Sequence, residues 1–175
     1  MKKIKKKQEK NTLQLEYTGN VTVKVERNNE IVKVINGHNA GTYRLFEYIA
    51  KSLIGLYESV YAPKYLQVFH VISGDNVNLA TATSLAGIIP LASSTYETDS
   101  TSSTAKLTFI IPGSAFIDGS LDPNYFALYN YKEYGNVSNP LAVYYLSTSL
   151  GENIDRTSNI IVVWELKIGN ATISE

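Results

Sequence analysis

Apolar and polar residues change places at almost every step over NVTVKVERNNEIVKVI, residues 20–35, and the same two-residue period returns along most of the chain. Successive side chains of a strand point to opposite faces, so this period fits a half-buried sheet. Val21, Val23 and Val25 fall in phase, Arg27-Asn28-Asn29-Glu30 is polar, and Ile31, Val32 and Val34 resume the pattern. The segment predicts two strands joined by a tight turn. Just upstream, TLQLEYTG alternates with Leu13, Leu15 and Tyr17 on one face and predicts a strand of its own.

The rhythm breaks once, in VINGHNAGTYRLFEYIAKSLIGLY, residues 34–57. Asn36-Gly37 is expected to end the strand and Thr42 to cap a helix. Leu45, Phe46, Ile49, Ala50, Leu53, Ile54 and Tyr57 follow at helical spacing, with Arg44, Glu47, Lys51 and Ser52 on the other side. This predicts an amphipathic helix from Thr42 to about Tyr57 whose dry face needs a sheet beneath it. Leu45, Phe46, Ile49, Leu53 and Ile54 are expected to close one side or end of that sheet as a lid. A charge introduced by Leu53→Asp is then expected to prevent soluble folding.

Further strands follow the helix. In APKYLQVFHVISG both faces are largely apolar, Tyr65, Gln67, Phe69 and Val71 against Leu66, Val68, His70 and Ile72, which marks a strand covered on both sides. SSTYETDSTSST reads as an exposed loop or hairpin tip. STAKLTFIIPG is a strand with Ala105, Leu107, Phe109 and Ile111 in register, stopped by Pro112-Gly113. A strand through Tyr125, Ala127, Tyr129 and Tyr131 comes next, then NPLAVYYLS and TSNIIVVWELKIGN. Many short strands separated by turn-rich loops, with a single helix, predict a mainly β protein: one β-sandwich domain, jelly-roll-like, with the amphipathic helix packed on it.

At 175 residues the chain suits one domain that needs no disulfide or metal to hold it, and it contains no cysteine. A thiolate metal site and a cysteine nucleophile are thereby excluded. The net charge of zero is unevenly spread: MKKIKKKQEK, residues 1–10, holds six lysines and one glutamate, a net +5, which leaves −5 on the other 165 residues. The division expected is a basic arm, 1–10, on a sandwich domain, 11–175. Lys2, Lys3, Lys5, Lys6 and Lys7 surround Ile4 and could meet an acidic protein surface or nucleic acid phosphates. No apolar run reaches the roughly 20 residues of a membrane span, and no continuous apolar stretch follows the arm, so neither a membrane partner nor a signal peptide is expected.

Chemistry-bearing motifs are sparse. His38 and His70 stand far apart with no acid at ligand or triad spacing, and a structural role is expected for both. Asp118-Gly119-Ser120-Leu121-Asp122 starts like a calcium loop, but the twelfth position is Tyr129 where a glutamate belongs, so a turn is expected. Phosphate-cradling glycine loops and a GxSxG elbow are missing. No catalytic residue, metal site or cofactor can be nominated, and the expectation is a protein that is not an enzyme. Thirteen tyrosines make aromatic contacts the main alternative, with Tyr129, Tyr131 and Tyr134 of YNYKEYG as the candidate surface set for stacking sugars.

The order of pieces, an alternating hairpin, then NGHNAGTYRLFEYIAKSLIGLY, then APKYLQVF, and later DPNYFALYNYKEYG and DRTSNIIVVWELKIGN, resembles small virion proteins of tailed bacteriophages, particularly short-tailed crAss-like phages. The likeness spans about residues 21–169 and is one of general pattern. It implies a virion structural protein: a subunit of a cyclic ring in the portal-proximal collar or tail, assembled in the host cytoplasm. Its partners would be other copies of itself and the portal, ring or tail proteins beside it. The alternative it implies is a head-fibre or tail-appendage component, for which a β-sandwich with exposed aromatics would suit carbohydrate or receptor binding.

Overall fold

The computed structural model describes residues 12–56, 62–72, 77–116, 122–130, 138–150, 154 and 156–174. The basic arm, Tyr131 and Tyr134 lie outside this set, as does most of the segment that begins at Asp118. Two antiparallel sheets and one helix form a β-sandwich. The first sheet runs β2(Glu30–His38), β1(Thr12–Arg27), β11(Ser158–Ser174), β8(Ser102–Pro112), β7(Ser93–Thr98). The second runs β3(Ala40–Gly41), β10(Ala142–Tyr145), β9(Tyr125–Asn130), β4(Pro63–His70), β5(Thr83–Ser84), and β6(Ile89–Pro90) also pairs with β4. The helix α1(Tyr43–Leu53) follows β3.

The expected hairpin is present, and its turn explains its sequence. Asn28 and Asn29 hold φ angles of 52° and 65°. Asparagine tolerates this left-handed region, and two such residues in succession match the right-handed twist of the strands they join. The inner faces alternate as read: Val21, Val23, Val25, Leu107, Phe109, Ile111, Ile160, Val162 and Trp164 of the first sheet meet Leu66, Val68, Phe126, Leu128, Ala142 and Tyr144 of the second.

β4 and β9 are buried on both faces, as the double apolar pattern of β4 predicts. Leu66 and Val68 pair with Leu128 and Phe126 toward the inter-sheet core. Their neighbours Phe69, Tyr125, Ala127 and Tyr129 form a second cluster on the far side, covered by Leu79 and Val77. Tyr129 is therefore fully buried and is no surface aromatic, which corrects the stacking set proposed from sequence.

Three other expectations are corrected. TLQLEYTG and NVTVKVER are one 16-residue strand, β1, not two. Asn36-Gly37 does not end β2, which continues to His38. A Cβ at Gly37 would stand 2.4 Å from the Tyr144 ring, so the glycine serves close approach of the opposite sheet, not a turn. Of the two readings of SSTYETDSTSST the hairpin is the one present: its first six residues are β7, and residues 99–101 make the exposed tip before β8.

The third correction concerns the helix. Thr42 caps it as expected, its Oγ1 accepting from the Arg44 amide at 3.2 Å, and Glu47 sits between Arg44 and Lys51 at 3.0 and 2.7 Å. The helix stops earlier than Tyr57. Gly55 takes φ 76°, the Leu56 amide donates to the Lys51 carbonyl at 2.9 Å and the Gly55 amide to that of Ser52 at 3.2 Å. This is a Schellman closure, and Gly55 was its visible sign. Of the five residues expected in the lid only Leu45 is buried, whereas Phe46, Leu53 and Ile54 are exposed. Leu53 is 75% accessible, so Leu53→Asp is expected to shift the unfolding free energy by no more than about 0.5 kcal/mol, while Leu45→Ala should cost about 2–5 kcal/mol, both read by urea denaturation.

Candidate functional site

The helix does cover one end of the sandwich, but loosely. Leu45, Tyr48 and Ile49, one stripe of its first two turns, face Tyr17 of β1, Leu166 and Ile168 of β11, Ala105 and Leu107 of β8, Tyr96 of β7 and Pro63 of β4. Together they line an apolar cavity of about 230 Å³. Phe46, exposed, lies edge-on to Tyr17 with ring centroids 5.8 Å apart. The Tyr17 hydroxyl donates to Asn39 Oδ1 at 2.6 Å, and burial pushes its pKa up to about 12.

Burial also raises Tyr125, Tyr129 and Tyr144. A tyrosine whose folded pKa lies above its unfolded value of about 10 contributes fully below that pH and loses the contribution as pH rises through the folded value. Circular dichroism is therefore expected to hold to about pH 10 and to collapse by about pH 12, with phenolate absorbance appearing in the same interval. Phenolate absorbance complete before any loss of structure would show these hydroxyls to be wet.

The outer face of the first sheet divides into two halves. Cross-strand register places Val34, Lys24, Ile161 and Ile110 in one row across β2, β1, β11 and β8. Ile31 and Val163 flank that row, and Ile31, Val34 and Ile110 are exposed. Further along the same strands the face turns polar, with Lys106 between Glu97 and Glu165 at 3.5 and 3.6 Å. Lys24 stands within the Val34 row, and Glu26, Asn159, Thr22 and Thr108 lie beside it, so the exposed aliphatic side chains sit in a mixed surface.

The second sheet has an open groove of about 530 Å³ lined by Tyr43, Tyr125, Asn78, Ser138, Asn139 and Val143 among others. Arg44 lies over one face of the exposed Tyr43 ring at 4.9 Å. Sequence reasoning missed this groove, because its members come from four separate segments. The histidines are held singly and apart: His38 Nδ1 is 2.9 Å from Asn20 Oδ1, and His70 Nδ1 is 2.9 Å from the Asp122 carbonyl.

Asp99 closes the β7–β8 tip. Its Oδ1 accepts from the Thr101 and Ser102 amides at 2.7 and 2.6 Å, and these bonds, with those from the two hydroxyls, hold its carboxyl well below the usual range. Among the described residues no group of three or more His, Cys, Asp or Glu could hold a metal, and no helix is long and apolar enough to cross a membrane. No protein family, no curated protein and no solved structure matches this chain.

Proposed function

We propose that this chain is a non-enzymatic structural protein of a tailed-phage virion, a subunit of a cyclic ring in the portal-proximal collar or tail. The observation that carries the reading is the group of exposed aliphatic side chains on the outer face of the first sheet, Ile31, Val34 and Ile110, beside Ile161. Copies related by rotation bury such a patch against a different surface of the next copy, and the series closes into a ring. The segmental likeness to small virion proteins supports the same role. The test is native mass by light scattering over a hundredfold range of concentration, with electron microscopy of the product. A closed oligomer of fixed mass that dissociates in Ile110→Lys is expected; a monomer at every concentration would overturn the proposal.

A second reading, a receptor- or glycan-binding appendage, rests on the groove at Tyr43, where an aromatic ring stands beside the amides of Asn78 and Asn139. Glycan-array binding lost in Tyr43→Ala would favour it over the ring.

A further inference from the structure

Four strands of the first sheet run beneath the apolar cavity, and their register gives it a shape. Tyr17, Ile168 and Ser103 stand opposite one another on β1, β11 and β8, and Leu166, Ala105 and Tyr96 on β11, β8 and β7. These two rows are its floor, and the first two turns of α1 with Pro63 are its roof. From β1 to β7 is three strand spacings, about 14 Å. Spread over that length, a volume of about 230 Å³ makes a slot about 4 Å across, the separation of carbon atoms in contact.

One end of the slot is shut. At β1 the Tyr17 hydroxyl is held by Asn39, whose side-chain amide donates in turn to the Asn20 carbonyl at 3.4 Å. A Cβ at Gly41 would stand 3.0 Å from Leu45 and 3.1 Å from the Tyr17 ring, so the glycine lets these two side chains close in on it there. The other end is open, since Tyr96 at the β7 edge is part of the wall and yet 78% accessible. The roof is tied to the side away from the floor. At the head of the helix the Thr42 amide donates to the Leu141 carbonyl at 2.9 Å and its Oγ1 to that of Pro140 at 2.6 Å, which joins it to the chain entering β10 of the second sheet.

No side chain of the wall is charged. Two of its hydroxyls are already engaged, that of Tyr17 with Asn39 and that of Ser103 with Thr98 at 3.1 Å. An apolar cavity stays dry and accepts apolar guests, and one of about 150 Å³ already takes benzene. A slot this narrow suits a chain better than a ring. With a methylene about the size of a water, roughly 30 Å³, the space holds about eight of them. We propose that the cavity binds one unbranched alkyl chain of about eight carbons, which enters beside Tyr96 and leaves its polar head at the β7 edge. The ligand is a free medium-chain amphiphile, because a membrane lipid carries paired tails too long for a blind slot. The site is complete in one chain, so it stands or falls apart from the ring.

The test is a titration of the full-length protein, its isoleucine and leucine methyls labelled for NMR, with 1-hexanol, 1-octanol, 1-decanol and cyclooctanol. Shifts are expected at Leu45, Ile49, Leu166 and Ile168. The dissociation constant should fall about fourfold for each methylene up to 1-octanol and level off beyond it. Cyclooctanol, which is wider, should bind about tenfold more weakly than 1-octanol. Ala105→Phe lays a ring across the floor and should abolish binding once a melting curve shows it folded; Ser103→Leu, a milder block nearer the surface, should weaken binding about tenfold. Shifts at the exposed Ile31 and Ile110 with none at the four wall residues would overturn the proposal. So would an affinity indifferent to chain length, or full affinity in either blocked variant. Phospholipid vesicles should leave the four methyls unmoved; if they move them as 1-octanol does, the ligand is a lipid tail and the assignment to a free amphiphile falls.

Discussion

Replacing Phe126 by alanine is expected to cost about 3–5 kcal/mol, a large share of the 5–15 kcal/mol that holds a domain of this kind folded. Phe126 is inaccessible to solvent and sits at the centre of β9, with Val68 opposite on β4 and Tyr144 opposite on β10. Its ring lies 6.1 Å from that of Tyr144. Both neighbouring strands are hydrogen-bonded in place, so the surroundings cannot close on the space left behind, and the cavity term is felt in full. Urea unfolding followed through Trp164, the one tryptophan and itself fully buried, reads the effect as a lower midpoint at unchanged slope. A loss below about 1 kcal/mol would mean that the two sheets do not meet through this side chain.

Gly37→Val is expected to destabilise although local propensity argues the other way. Valine suits a strand, and removing a glycine restricts the unfolded chain, so on an open edge the change would be neutral or favourable. Here the new Cβ would stand 2.4–2.7 Å from two ring carbons and the hydroxyl of Tyr144, which is buried in the opposite sheet. The ring must move or the sheets must part, at about 1–3 kcal/mol. For a domain of this size the melting temperature should fall by about 3–10 °C. Gly87→Ala is the control, since nothing lies within 4 Å of its Cβ position, and it should leave the melting temperature unchanged or slightly raised. A stabilised Gly37→Val protein would show that Tyr144 has room to turn away.

Local chemistry was readable where it is sufficient by itself. The Asn28-Asn29 turn, the Thr42 cap, the Glu47–Lys51 pair and the double-sided burial of β4 all follow from residues within a few positions of one another. What depends on distant partners was not readable. Alternation tells that Tyr125, Ala127 and Tyr129 share a face, but only the arrival of Leu79 from another segment decides that this face is dry. Helical spacing grouped Leu45, Phe46 and Leu53 together, yet the helix bridges an open end, and only its first two turns have a surface to lie on. Gly37 looked like punctuation because its reason, Tyr144, stands more than a hundred residues away. Of the candidate contacts, Tyr129 was misplaced for the same cause.

The β1–β11 ladder also sets how this protein responds to mechanical load. It runs from Thr12 opposite Ser174 to Arg27 opposite Ser158, and from Asn20 onward β1 is flanked by β2 as well. A force that separates Thr12 from Ser174 opens the ladder like a zipper, one bridge after another, each breaking alone at low force. A force applied at Thr12 along the strand, with the rest of the molecule anchored, pulls β1 lengthwise between two neighbours, and their hydrogen bonds resist together in shear. The same strand is therefore weak when peeled and strong when drawn, and single-molecule pulling in the two geometries should give clearly different rupture forces.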